Sequence, residues 1–455
     1  MRAAEAEIEK GVRSVQNPIA AQRTPSSLPA DLKMMMGLIR ASMFAVWTCF
    51  TFIIASATGV DDNLYRIDFQ QLFQSVELNL HTDHDETSRY APWSFKPVCT
   101  QTLPSINSEL CVYTNATFAN GRGISLFTTP EIAEQITSLP PSNDADVVSP
   151  RINTDTGTGY TQPIPSKGIG MFAKHSLQRG DLIVATTPAL VAYSENILSP
   201  AERERYLQTA IDQLPASTRE AYLGLTTVHG NPEILVQDIA AANTFAIHLH
   251  GQKHLAAFPE PSRINHDCAP NAQFHIDTAT LTHYVRAIRP IAPDEEISIA
   301  YTNPLDTYAQ RQRYLRQSFG FECTCRRCRR GGSGDDALDE LNALQASLGD
   351  WTAESKASVA QAERLIKLYQ DQGLDGYLDP AYCHAALMYS SVGSVKGARK
   401  YVDLAVDAIE LRLGSYADQD DLGVWKEMRR DPSKHWSWKA RKKQSRAELK
   451  PKPKL

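Results

Sequence analysis

The sequence predicts an α+β protein: a body of short β-sheets interrupted by one helical insertion, followed by a helical C-terminal domain. Three observations carry this. Short apolar runs alternate with turn residues from Gly168 to Tyr193 and again from Thr280 to Tyr301. A capped helical segment lies between them, and beyond Gly334 the pattern turns helical. The 455 residues are 42% hydrophobic and 22% charged, with mean hydropathy -0.34, which excludes a multi-spanning membrane protein and a wholly disordered chain.

The first 33 residues are polar, contain Pro and Ser without apolar periodicity, and are read as disordered. Residues 34–60 form a signal-like or anchor segment. An uncharged run from Ala41 to Val60 follows Arg40 and contains Ala55-Ser56-Ala57, the small-x-small pattern of a cleavage site. Three readings stay open: a secretory signal from Met34–Met36, a membrane anchor at 41–60, and a buried core helix. Residues 61–150 are read as a separate polar region. It holds Cys99, Cys111 and the sequon Asn115-Ala116-Thr117, and a disulfide and a glycan there would suit an oxidising compartment. The stretch Ser138–Pro165 has linker composition.

Within the sheet-forming body, about 160–330, the insertion falls at about 194–234. Ser199 to Leu225 reads as helix, with Ser199 as cap, Pro200 in the first turn and Glu202 completing a capping box. Residues 335–415 read as a helical domain. Tyr382, Ala385, Ala386, Tyr389, Ala398, Val402 and Ala405 match the small/large spacing of one tetratricopeptide-like helix pair, with Gly393 at its turn; a peptide-binding array and an unspecialised bundle both stay open. From 425 to 455 twelve Lys or Arg face three Asp or Glu, a basic tail that points weakly to nucleic acid or an acidic surface and otherwise to a solvated end.

Cys323, Cys325 and Cys328 are the strongest chemical signal. Three thiolates so closely spaced converge on a tight turn, and Zn(II) then needs a fourth ligand, for which Cys268 is the candidate. With no open position the zinc is structural. Arg326, Arg327, Arg329 and Arg330 are expected to favour the thiolate form.

Four segments, in order, resemble the motifs of SET-domain protein-lysine methyltransferases: Gly168-Ile169-Gly170-Met171-Phe172-Ala173, Asn265-His266-Asp267-Cys268, Glu295-Glu296-Ile297 through Tyr301, and Phe321-Glu322-Cys323 through Cys328. The resemblance is nearest to the split SET-and-MYND family. It implies S-adenosylmethionine as cofactor, bound by Lys167, Gly168, Ile169, Gly170, Asn243, Asn265, His266 and Phe321. It also implies Tyr301 as the catalytic residue, Phe319 and Phe321 as walls of a lysine channel, and a lysine-containing protein as substrate. The chain departs from the family in two places. Asp267 stands where serine is usual, and the insertion lacks the cysteines of a MYND zinc module.

Overall fold

The computed structural model describes residues 90–139, 151–165, 167–414 and 419–442. The segments 1–33 and 34–60 lie outside the described residues, as do the middle of the linker and the last thirteen residues. Among the described residues, no helix is long and apolar enough to cross a membrane.

Three sheets build the first part. The largest has six strands: β1 (Val98–Cys99), β2 (Cys111–Asn115), β3 (Ile124–Thr128), β7 (Leu190–Tyr193), β8 (Thr244–Leu249) and β9 (Gln252–Ala257), in the order β1-β2-β3-β7-β9-β8. The second places β4 (Gly159–Ile164), β5 (Gly168–Ala173), β10 (Asn265–His266) and β13 (Glu296–Ile299) in the order β10-β13-β5-β4. The third runs β11 (Ala272–Asp277), β12 (Thr282–Ala287), β6 (Leu182–Thr186). The β8–β9 hairpin turns through His250 and Gly251, both at positive φ, the twist a two-residue hairpin demands.

Residues 61–150 were expected to stand apart; instead β1–β3 run through the largest sheet, followed by α1 (Pro130–Thr137). β3 pairs in parallel with β7, Leu126 opposite Val191, and Leu110, Val112 and Phe127 pack into one core with Tyr206 and Ile211 of the insertion. Composition concealed this because the strands bury hydroxyls. Thr114 and Ser125 are fully buried, and their side chains bond to each other at 2.7 Å. The end of the expected linker is likewise strand, with β4 paired to β5 from Gly159↔Ala173 to Ile164↔Gly168.

The insertion begins as expected. Ser199 and Glu202 form the reciprocal capping box of α2 (Pro200–Asp212), with Pro200 in the first turn. The expected single helix to Leu225 is broken, however. Pro215 takes an extended conformation and starts α3 (Ala216–Leu223), because proline disfavours helical geometry in the residue before it and lacks the amide that would continue the ladder. The insertion ends with α4 (Leu235–Asn243).

After β13 come α5 (Tyr308–Phe319) and five further helices: α6 (Asp336–Gly349), α7 (Val359–Asp371), α8 (Asp379–Ser391), α9 (Val395–Leu413) and α10 (Gln419–Arg430). α8 and α9 occupy the expected helix pair. Ala385, Ala386, Ala398, Val402 and Ala405 are fully buried between them, and Gly393 turns the chain at positive φ. A Cβ at Gly397 would strike the Tyr389 ring, so the two helices approach too closely for any other residue. The expected tail is corrected in its first half. Trp425 and Met428 are core residues, Lys439 donates its amide to Ser390, and Arg441 lies over Trp351.

Candidate active site and cysteine cluster

The second sheet brings the separated motifs together. β10 pairs in parallel with β13, Asn265 opposite Ser298 and His266 opposite Ile299, while β5 flanks β13 on its other side. Glu296 is the hub on one side. It accepts from Asn265 Nδ2 at 3.0 Å and forms an ion pair with Lys167 at 2.9 Å. A Cβ at Gly170 would come within 2.8 Å of Asn265 Nδ2, so glycine is what lets β5 approach this amide. At Gly168, φ is +78° and a Cβ would enter open space, leaving its backbone approachable by a ligand. Lys167, Gly168, Ile169, Gly170, Asn265 and His266 thus stand in one neighbourhood, and Phe321 faces the His266 ring at 6.1 Å.

Beyond the end of β13, Tyr301 donates its hydroxyl to the Ile264 carbonyl at 2.8 Å and its backbone N–H to His266 Nδ1 at 3.0 Å. Burial, helped by the Glu296 charge, pushes the phenol pKa well above its ordinary value. Tyr301 therefore stays neutral and can orient a group without acting as a base. It lines a cavity of about 240 Å³ with Asn243, Phe245, Ile264, Phe274, Tyr314 and Phe319. Phe319 packs 4.9 Å from the Tyr301 ring. Phe321 is not among the cavity's lining residues and packs instead against His266 and Phe319. Asn243 donates its side-chain amide to the carbonyls of Thr226 and Ile239, which seats α4 at the cavity edge.

The thiols of Cys268, Cys323, Cys325 and Cys328 lie within 4.8 Å of one another, and none is in a disulfide. Cys268 and Cys328 sulfurs are 3.5 Å apart. A tetrahedral site with zinc–sulfur bonds of about 2.3 Å needs sulfurs about 3.8 Å apart, so this donor set fits Zn(II). The arginine expectation is corrected in part. Arg326, Arg329 and Arg330 are exposed, whereas Arg327 is buried and donates to the carbonyls of Cys268 (3.0 Å) and Pro304 (2.6 Å). Arg311, which sequence reasoning missed, is buried on α5 with its guanidinium in reach of Cys268 and Cys328. These two cations would oppose the negative charge that four thiolates would leave around a divalent ion.

Residues 168–302 match the SET domain family. The chain carries a SET domain. It is similar to Histone-lysine N-methyltransferase set5 of Schizosaccharomyces pombe, 30% identical over 166 residues, which is 36% of this chain and 49% of that one. It is also similar to Histone-lysine N-methyltransferase SMYD3 of Homo sapiens, 30% identical over 141 residues, 27% and 32% of the two chains. A SET and MYND domain-containing protein of Dictyostelium discoideum is 39% identical over 67 residues, 15% and 19%. The matches thus span half or less of each relative. The SET domain holds Tyr301, Asn265 and Cys268, while Phe319, Phe321 and the other three cysteines follow it in the chain.

Two other sequence expectations meet the structure at β2. Cys99 and Cys111 are opposite each other on β1 and β2 and form a disulfide. Asn115 was expected to suit a glycan, but its side chain is buried and its Oδ1 accepts from the Thr117 amide and hydroxyl. In the folded chain the sequon forms a turn.

Proposed function

We propose that this chain transfers a methyl group from S-adenosylmethionine to a lysine side chain of a protein, and that its four cysteines hold a structural zinc ion. The observation that carries the proposal is the placement of Tyr301: a half-buried, neutral phenol of the SET domain at the wall of an apolar, aromatic-lined cavity. The relatives named as histone-lysine methyltransferases support the lysine substrate.

Lys167, Gly168, Ile169, Gly170, Asn243, Asn265, His266 and Phe321 would hold the cofactor, which when bound supplies an electrophilic methyl group. The remaining tasks fall to the chain. Lysine has a pKa of about 10.4 in water and must lose its proton to act as a nucleophile. Phe245, Phe274 and Phe319 exclude water from the cavity, which disfavours the ammonium form. The Tyr301 hydroxyl spends its proton on the Ile264 carbonyl, so its lone pairs face inward and can hold the reacting groups in line.

Titration calorimetry of the full chain with S-adenosylmethionine, paired with methyl transfer to histones, tests this. Saturable binding and transfer are expected, with Tyr301→Phe retaining binding and losing transfer by about 100-fold, the scale of one oriented polar group. No binding by the parent chain, or equal transfer by Tyr301→Phe, overturns the proposal.

A second reading, a secreted or lumenal interaction protein, is favoured by the Cys99–Cys111 disulfide. Mass spectrometry of the mature N terminus and of the Cys99–Cys111 peptide separates it from the first. Processing after Ala57 with an intact disulfide supports this reading, and an unprocessed chain with free thiols removes it.

A further inference from the structure

β13 ends at Ile299, and the ladder with β10 closes where Asp267 donates to the Ile299 carbonyl at 3.0 Å. The next inward-facing donor, the Tyr301 N–H, therefore has no strand to bond. It is satisfied by a side chain instead, His266 Nδ1 at 3.0 Å. That imidazole is 8% exposed, between the rings of Tyr301 and Phe321. Its other nitrogen, Nε2, lies 3.2 Å from Cys268 Sγ. One buried ring thus touches the backbone of Tyr301 with one edge and a cysteine of the four-thiol cluster with the other.

We infer that His266 is a positioning residue that transmits the metal-bound state of the cysteine cluster to the backbone of Tyr301. The inference rests on the proposed zinc and methyl-transfer reading. Because Nδ1 accepts the Tyr301 amide proton, the ring's own proton sits on Nε2 and points at Cys268. A metal-bound thiolate is a fixed, negatively charged acceptor and holds that tautomer. Without metal the Cys268 sulfur is no longer held by a bond of its own opposite Nε2. The ring then keeps its Tyr301 bond but loses the anchor on its other edge, so the ring and the backbone amide bonded to it are held less firmly. Metal loading and the seat of the catalytic tyrosine are in this way one hydrogen-bonded unit.

The ring has two functional edges, and two substitutions separate them. His266→Gln keeps a donor near the ε position that can reach Cys268; His266→Asn keeps an acceptor near the δ position that can face Tyr301. In the full chain, metal release is followed with cobalt(II) by its thiolate absorption under a chelator, and kcat and KM are measured on the zinc-loaded protein. His266→Asn is expected to release metal about tenfold faster than His266→Gln, the scale of a lost outer-sphere bond. His266→Gln is expected to lose about tenfold more in kcat than His266→Asn, the scale of a slightly misplaced catalytic group. Parallel changes in both properties overturn the inference.

A second measurement needs no substitution and so survives a variant that fails to fold. In the parent chain with ¹⁵N-labelled histidine and tyrosine, replacing zinc by cadmium should shift both the His266 ring nitrogens and the Tyr301 amide. A Tyr301 amide indifferent to the metal overturns the inference. A parent chain that takes up no zinc, or transfers no methyl group, refutes instead the reading on which it rests.

Discussion

His283 offers a quantitative test of how the cavity wall is built. It is fully buried on β12, with the rings of Phe245, Phe274 and Phe258 at 4.5, 4.8 and 4.9 Å. Neither ring nitrogen has a hydrogen-bond partner. Burial, with a smaller push from the charge of His275 on the paired strand, lowers its pKa from 6.5 to about 3. The folded state thus keeps this ring neutral while the unfolded chain protonates it below pH 6.5. Its contribution is fully present above that pH and is lost as pH falls towards 3. Each pH unit in the window costs up to about 1.4 kcal/mol, so the parent should lose about 2 kcal/mol from this group between pH 7 and pH 5. His283→Phe removes the titration and places an apolar ring among the phenylalanines. Other buried histidines, such as His254 with its pKa near 4, act equally in both proteins and cancel. Urea unfolding of both proteins at pH 7 and pH 5 measures the double difference. A variant whose advantage over the parent is the same at both pH values refutes the reasoning, because the ring would then titrate alike in the folded and unfolded chains.

Phe245→Trp should narrow the cavity of about 240 Å³, raising KM for a lysine peptide at least about tenfold while calorimetry gives a cofactor Kd near that of the parent. Asp379→Asn removes the carboxylate that accepts from Arg412 at 2.7 and 3.1 Å, with the Asp side chain 6% and the Arg side chain 23% exposed. Since the arginine retains some water, the cost should be about 2 kcal/mol, read by urea unfolding. Chelation should remove about one zinc ion per chain and expose the four thiols to alkylation, while circular dichroism retains most of the helical signal.

The site was legible where its chemistry is local. Thiolates at Cys323, Cys325 and Cys328 can converge through a single turn, and Ser199 with Glu202 three residues on marks the start of α2. The Gly168–Gly170 approach and the Asn265–Cys268 turn were visible for the same reason. What stayed hidden depends on neighbours distant in sequence. β3 becomes a central strand because β2 and β7 pair with its two edges, and no pattern in Ile124–Thr128 names β7 as a partner. Phe245, Phe274 and Tyr314 read as ordinary packing residues until the sheets and α5 close around one cavity. Arg311 carries no mark in a helix rich in arginine, and its burial against the thiols depends on where α5 lands.

The cysteine cluster and the cavity are two ends of one segment. The chain leaves the second sheet at Tyr301, forms α5, and returns through Cys323–Cys328 to Cys268. Tyr301, Tyr314 and Phe319, three of the aromatic walls, all lie on this excursion. A metal ion on the four cysteines would fix where α5 can sit, and α5 in turn fixes the walls. The closure has braces of its own. Gln312 accepts the Cys323 amide at 3.0 Å and donates to its carbonyl at 2.7 Å, and Arg327 ties Cys268 to Pro304. These bonds brace the segment independently of metal, and the buried residues of the helical C-terminal core lie beyond it, with Leu305 of the segment packed at their edge. On the proposed reading metal would serve the accuracy of the walls rather than the existence of the fold, and a site that aligned a methyl group with a lysine nitrogen would be sensitive to that accuracy.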